Sequence, residues 1–340
     1  MYKRQPGAQY SLYRIHLLGS LALLEAWAGR LRLAAAISQE ALDLAAETRL
    51  LAHPSPADAF LAAALAAIER GTPSAAATPL HEGALRAAAN HRTQLMWIAH
   101  LTRVLSEGDV VDPVDPLPST PPPIVAAALE AEEARTLRLA HASNGGLRHP
   151  SAGRWSPLVF EATAAALTRN RLDLARAHLD AVSPEPSESV PRAGVEQLIL
   201  RSWLDAREGG AGAGADAMHR ALDLASQHDL VAAFVRAGPE VTRLIADLPG
   251  TPTPFRATVL ERASLLRRAR SSSPELAEQL TDRELEILAY LPTRMTNIEL
   301  AARCYVSPNT IKTHMAHIYR KLAVPNRNSA VARAQDLGLI

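Results

Sequence analysis

Apolar residues recur every three or four positions along most of the chain, the period of a helix that buries one face. In AWAGRLRLAAAISQEALDLA (26–45) one helix ends at Ala28-Gly29. A second follows, with Leu33, Ile37, Ala41 and Leu44 on a common face. Related units turn at Gly71 (AAIERGTPSAAATPLHEGAL), Gly108 (RVLSEGDV), Asn170 (AALTRNRLDLARAHLDAV) and Gly209 (DAREGGAGAGADAMHRALDLA). From Gly29 to Gly71 is 42 residues, from Gly71 to Gly108 is 37, and from Asn170 to Gly209 is 39.

Spacings of this size predict paired-helix repeats of the tetratricopeptide kind. Each pair cannot bury its apolar face alone, so the pairs stack into a solenoid. An irregular all-helical domain is the rival reading. Three stretches interrupt the helices: DPVDPLPSTPPP (112–123), which proline bars from helix, HASNGGLRHPSAGRW (141–155) and SPEPSESVP (183–191); LPGTPTPF (248–255) then closes the large domain. A short basic helix, VLERASLLRRAR, then leads into SSSP (271–274), which marks a domain boundary. The organisation predicted is a helical repeat domain over 1–250, a linker with the basic helix over 251–274, and a small domain over 275–340. The fold class is all-α.

In the small domain the start signals repeat. Thr281 with Glu284, and Thr296 with Glu299, have the spacing of a capping box. Ser307-Pro308 places a cap and then a proline at the first helical position. Leu285, Leu288 and Leu291, then Leu300, Ala301 and Cys304, then Ile311, His314, Ile318 and Leu322 are predicted to face the core. A last helix runs from about Arg327 to Leu337. Four short helices, with the second and third joined by the brief Tyr305-Val306 turn, describe a helix-turn-helix. In that motif the third helix, 308–322, enters the DNA major groove.

Charge sharpens this. The whole chain of 340 residues carries a formal net charge of only +1, so a nucleic-acid surface must be local. Residues 300–340 hold six Lys or Arg against one acid, whereas 275–299 hold two Arg against six acids. Such polarity turns one face toward phosphates. The chain has three lysines, and two of them, Lys312 and Lys321, stand on the predicted groove helix. Lys312, near its start, can reach a guanine edge or a phosphate.

The opening LTDRE, then TNIELA, VSPNTIKTH, IYRKLAV and the NR before the last helix resemble the LuxR-type helix-turn-helix family over roughly 279–340. The loop LPTRM (291–295) departs from that pattern, as does Cys304, where a leucine is usual. The resemblance implies base contacts from Lys312 and Thr313 and phosphate contacts from Thr310, Lys321 and Arg327. It adds Asn309, Ala316, Thr296 and Asn297 to the DNA-facing set. The last helix offers Ala330, Val331 and Ala334 as small apolar positions, and the resemblance places dimerisation there, on an inverted repeat. The larger part, for instance AMHRALDLASQHDLVAAFVRAGPEVTRLI (217–245), is similar to the repeat region of the large MalT-like ATP-dependent LuxR regulators. No G-x-x-x-x-G-K-[ST] is present, so the phosphate cradle of their NTPase module is absent from the sequence.

The reading is thus a bacterial transcription regulator that binds double-stranded DNA as a homodimer. Its repeat domain takes a small-molecule inducer or a protein partner, and RNA polymerase is a further partner. The alternative is a fragment of a larger ATP-dependent regulator whose repeats form a protein-interaction scaffold. An enzyme would need a motif that the first 270 residues do not show, and no nucleophile–base set stands out. A two-component response regulator would need a parallel α/β receiver domain, against which the helical repeats argue. GGAGAGA (209–215) lacks a preceding strand and a lysine, and HEGALRAAANH (81–91) lacks a carboxylate in register for a metal. No cofactor or metal is predicted. The single cysteine, the absence of an apolar run of about 18 residues, and the interruption of the N-terminal segment by Arg14, His16 and Glu25 point to a cytoplasmic protein outside the membrane.

Overall fold

A computed structural model of the chain describes residues 6–107, 117, 120–139, 156–182, 190–210, 212–272, 282–293, 295–304, 307–322, 324 and 326–336. The turn at Gly108, the loop 141–155, most of 112–123 and 183–191, Pro274, Thr281 and the Tyr305-Val306 turn lie outside the described residues.

Among the described residues the chain is helical, with no strand. In chain order the helices are α1 (Pro6–Ala28), α2 (Leu31–Glu47), α3 (Ala57–Glu69), α4 (Ala77–Ala89), α5 (Thr93–Glu107), α6 (Pro123–Leu139), α7 (Pro157–Thr168), α8 (Leu172–Asp180), α9 (Pro191–Gly209), α10 (Ala215–His228), α11 (Ala232–Ala237), α12 (Pro239–Ala246), α13 (Pro254–Ser272), α14 (Asp282–Tyr290), α15 (Asn297–Arg303), α16 (Pro308–Lys321) and α17 (Arg327–Asp336). No described helix is long and apolar enough to cross a membrane. The chain divides into two compact units, 1–136 with 146–263 and 137–145 with 264–340.

In the larger unit, α1 packs on α2, α3 on α4, α7 on α8 and α9 on α10. One device ends many of these helices. A residue in the left-handed region is followed by an N–H that reaches back five positions: Arg30 to Glu25, Leu50 to Ala45, Thr72 to Ala67, Arg92 to Ala87, Arg171 to Ala166 and Leu230 to Ala225. The left-handed residues are Gly29, Arg49, Gly71, His91, Asn170 and Asp229. This is the bond that satisfies the orphan carbonyls of a helix end. At Gly29 a second constraint acts, because a Cβ there would lie 2.8 Å from the backbone N of Arg192 in α9.

The core of the larger unit gathers Phe160, Leu167, Ile199, Leu200, Trp203, Leu204 and Phe234, and Phe255 meets Phe234 edge-on at 6.3 Å. α3 and α7 are buried almost all round, as helices apolar on every side must be. α2 departs from its predicted register: it buries Leu31, Ala34, Ser38, Ala41 and Ala45, and leaves Leu33 exposed. Its alanine-rich sequence marks no unique face.

Glu69, at the end of α3, is among the charged groups buried in this unit, and it is fully buried. Its carboxylate accepts from Arg192 Nη1 of α9 at 2.9 Å and from Arg236 Nη2 of α11 at 2.6 Å. Burial alone would push this carboxyl up. The two guanidiniums outweigh it and hold Glu69 at about 2.

The smaller unit has its own core of Ile287, Leu288, Leu291, Leu300, Ala301, Cys304, Ile311, Met315, Ile318, Leu322, Ala330 and Ala334. On α14 the buried partner of Leu288 and Leu291 is Ile287, and Leu285 is half-buried. On α16 the stripe is completed by Met315 in place of His314, which is half-buried. Burial pushes the Cys304 thiol above its usual range.

Candidate nucleic-acid interface

α15 begins as the capping box predicts. The Thr296 N–H donates to Glu299 Oε2 at 2.7 Å, and the Glu299 N–H donates to Thr296 Oγ1 at 3.3 Å. The Thr296 N–H, together with the Thr296 hydroxyl that donates to the same Oε2 at 2.9 Å, draws the Glu299 carboxyl below its ordinary value. α16 begins with Ser307 Oγ accepting from the Thr310 N–H at 3.1 Å, with Pro308 at the first helical position. Arg283 of α14 donates to the carbonyl of Cys304, tying the end of α15 to α14. The two helices of the motif are thereby fixed at their ends by local bonds and between them by the apolar core.

Burial of Ile311, Met315, Ile318 and Leu322 turns the opposite side of α16 outward. Lys312, Thr313, Ala316, His317 and Arg320 are all exposed there. At 3.6 residues per turn these five share one continuous face. The structure thus brings together Lys312, Thr313 and Ala316 from the predicted set. It adds His317 and Arg320, which the sequence reading passed over; they stand five and eight residues past Lys312, a signal that helical spacing carries. Thr310 is half-buried and its hydroxyl lies 2.7 Å from Ser307 Oγ. Thr296 is exposed and Asn297 half-buried at the start of α15. The backbone of Asn309 is in the first turn of α16, and its side chain lies outside the described residues.

Two residues expected to hold phosphates have partners inside the unit. Lys321 Nζ donates to Glu284 Oε2 of α14 at 2.7 Å, in a pair whose side chains are 10% and 4% exposed. Its ammonium is committed to a carboxylate inside the unit. Arg327 donates through Nε to the Leu291 carbonyl at 3.0 Å, through Nη1 to Met295 at 2.5 Å and through Nη2 to Thr293 at 2.6 Å. It clips the loop after α14. Of the expected dimerisation set, Ala330 and Ala334 are 0% exposed within the core, because the small side chains of α17 let it approach α14 and α16 closely. Val331 is half-buried against the same core.

The larger unit holds a cavity of about 280 Å³. Trp27, Leu101, Leu105, Ile124 and Phe160 give it a mainly apolar wall, and Glu132, Glu161, Arg192, Glu196 and Arg236 stand among them. Two of these, Arg192 and Arg236, are the partners of Glu69. The volume is near the lower end of small-molecule sites. Among the described residues no group of three or more His, Cys, Asp or Glu is placed to hold a metal ion.

Comparison with known proteins covers the smaller unit best. Residues 278–334 match the GerE family, described as bacterial regulatory proteins of the luxR family. The probable transcriptional regulatory protein SgaR of Hyphomicrobium methylovorum is 51% identical over 55 residues, 16% of this chain and 26% of that protein. The response regulator protein VraR of Staphylococcus saprophyticus is 27% identical over 169 residues, 50% of this chain and 74% of that protein. VraR of Staphylococcus aureus is 25% identical over the same shares. No solved structure matches. The segment 278–334, with its capped scaffold helix and its outward-facing third helix, is a luxR-family DNA-binding domain of the helix-turn-helix type.

Proposed function

We propose that this chain regulates transcription by binding double-stranded DNA sequence-specifically, with α16 in the major groove. The observation that carries this reading is the exposed face of Lys312, Thr313, Ala316, His317 and Arg320 opposite the buried stripe of the same helix. A helix held by its apolar side and exposed on the other is what groove readout needs. Lys312, Thr313 and Ala316 read base edges. Phosphate contacts come from the exposed Arg320 and Thr296, with Thr310, Asn297 and the N–H groups at the start of α16 beside them. Asn309 joins them from the first turn. The larger unit acts as a sensor, with the 280 Å³ cavity as the seat of a small, largely apolar inducer. Two copies act together on an inverted repeat, in the cytoplasm where DNA and RNA polymerase are within reach.

The test is selection of bound fragments from random duplex DNA with the full chain, followed by titration. Lys312→Ala is expected to lose about 1–3 kcal/mol on the selected site, the worth of a good base contact, and far less on random DNA. Equal losses on both would show that Lys312 does not read sequence. Failure to enrich any fragment would sink the reading as a whole.

A further inference from the structure

α1 has two faces. One packs Ile15, Ala22, Leu23 and Ala26 into the larger unit. The other carries Tyr10, Tyr13, Leu17, Leu21 and Leu24, which are 70%, 60%, 68%, 44% and 66% exposed. At about 100° per residue these five fall within one narrow sector of the helix. Other large exposed apolar residues, such as Leu33, Leu51, Leu85 and Ile124, are scattered over separate segments. Scattered residues need no explanation, but a continuous stripe does.

The spacing along the stripe is three, four, four, three. That is the rhythm of a seam between two helices. It is also a palindrome centred on Leu17. In an antiparallel pair Tyr10 would lie opposite Leu24, Tyr13 opposite Leu21, and Leu17 opposite its own copy. Each ring meets a leucine, and the axis passes through the middle residue. A two-fold contact requires a patch that is complementary to itself, and this stripe meets that condition. With roughly 200 Å² for a fully accessible side chain of this size, the five expose on the order of 600 Å². Two copies would cover on the order of 1,200 Å², the lower edge of specific interfaces.

We propose that α1 is a self-association face, on which two copies of the chain pack antiparallel about an axis at Leu17. For the pairing on DNA this inference rests on the proposed function, since Ala330 and Ala334 are closed to it and recognition helices of this kind act in pairs. The pairing itself is read from mass, without DNA.

Light scattering on the full chain is expected to show a concentration-dependent rise to twice the monomer mass. Leu17→Glu is expected to remain a monomer with unchanged helical content, since the side chain is exposed. Leu85→Glu, also exposed but on α4, is expected to pair as the parent does. Cysteine substitutions give the orientation. Under a mild oxidant Leu17→Cys is expected to crosslink to itself, and Tyr10→Cys to crosslink only when mixed with Leu24→Cys. The buried Cys304 stays silent in the parent. A monomer at all concentrations, a dimer indifferent to Leu17→Glu, or efficient self-crosslinking of Tyr10→Cys would each overturn the proposal. Binding of Leu17→Glu to a single half-site is expected to be unchanged. Loss of that binding in parent and variant alike would count against the DNA reading and leave the mass result to stand alone.

Discussion

Arg327 reaches three carbonyls with three different nitrogens, which only a planar fork can do. Arg327→Lys keeps the charge and loses the geometry. It is expected to cost about 2 kcal/mol, seen as a fall of about 10 °C in the melting of the smaller unit. Lys321 is a sharper case. Lys321→Ala removes the ammonium from a carboxylate that is 4% exposed, which costs about 3–5 kcal/mol for a buried pair. The double change Glu284→Leu with Lys321→Met is expected to recover most of that loss. A lysine that held a phosphate would instead leave melting unchanged and flatten the salt dependence of DNA binding by about one unit. Glu69 governs acid stability in the larger unit. Its carboxyl is held at about 2 against an ordinary 4.5, so its contribution is full above about pH 4.5 and is lost as pH falls toward 2. The loss is about 3 kcal/mol. Glu69→Gln is expected to remove this pH dependence and to lower stability at neutral pH, as thermal melts between pH 2 and 7 would show.

At the level of elements, the ends of helices decide what the faces can do. Gly29 combines a left-handed φ of 90° with a close approach to Arg192. Gly29→Ala is therefore expected to destabilise by about 2–3 kcal/mol, measured as a lower denaturation midpoint. The starts of α15 and α16 were legible in the sequence because Glu299 lies three residues after its capping partner Thr296, and Pro308 directly follows the cap Ser307. The turns at Gly29, Gly71 and Asn170 were legible for the same local reason. Those at Arg49, His91 and Asp229 were not, because an ordinary side chain is held left-handed there. On α16, taking His314 for Met315 is an error of one residue, about 100° on the helix, in a segment where either fits an apolar stripe. The partners of Lys321 and Arg327 within the unit were beyond reach for another reason: Glu284 and Leu291 are 37 and 36 residues away, and sequence shows a cation without showing its partner.

At the scale of the molecule, each unit has a core of its own, one built round Trp203 and Phe234 and the other round Ile287, Ile311 and Ile318. Calorimetry of the full chain is expected to resolve two transitions. Glu69→Gln should move one of them and Lys321→Ala the other. A single transition displaced by both changes would show that the units melt as one. The all-helical character was plain from periodicity. The Glu69 cluster and the cavity beside it were not, since Arg192 and Arg236 meet Glu69 across 123 and 167 residues.

Cys304 gives the smaller unit a built-in clock. It is the chain's one cysteine, it is 1% exposed, and burial raises its thiol. A thiol reagent can reach it only when α14, α15 and α16 part. The rate of labelling in native buffer therefore measures how often the DNA-binding domain opens, with no signal from the other unit. An operator duplex that grips α16 would slow that rate in proportion to its occupancy, so one chemical reaction can report both breathing and binding.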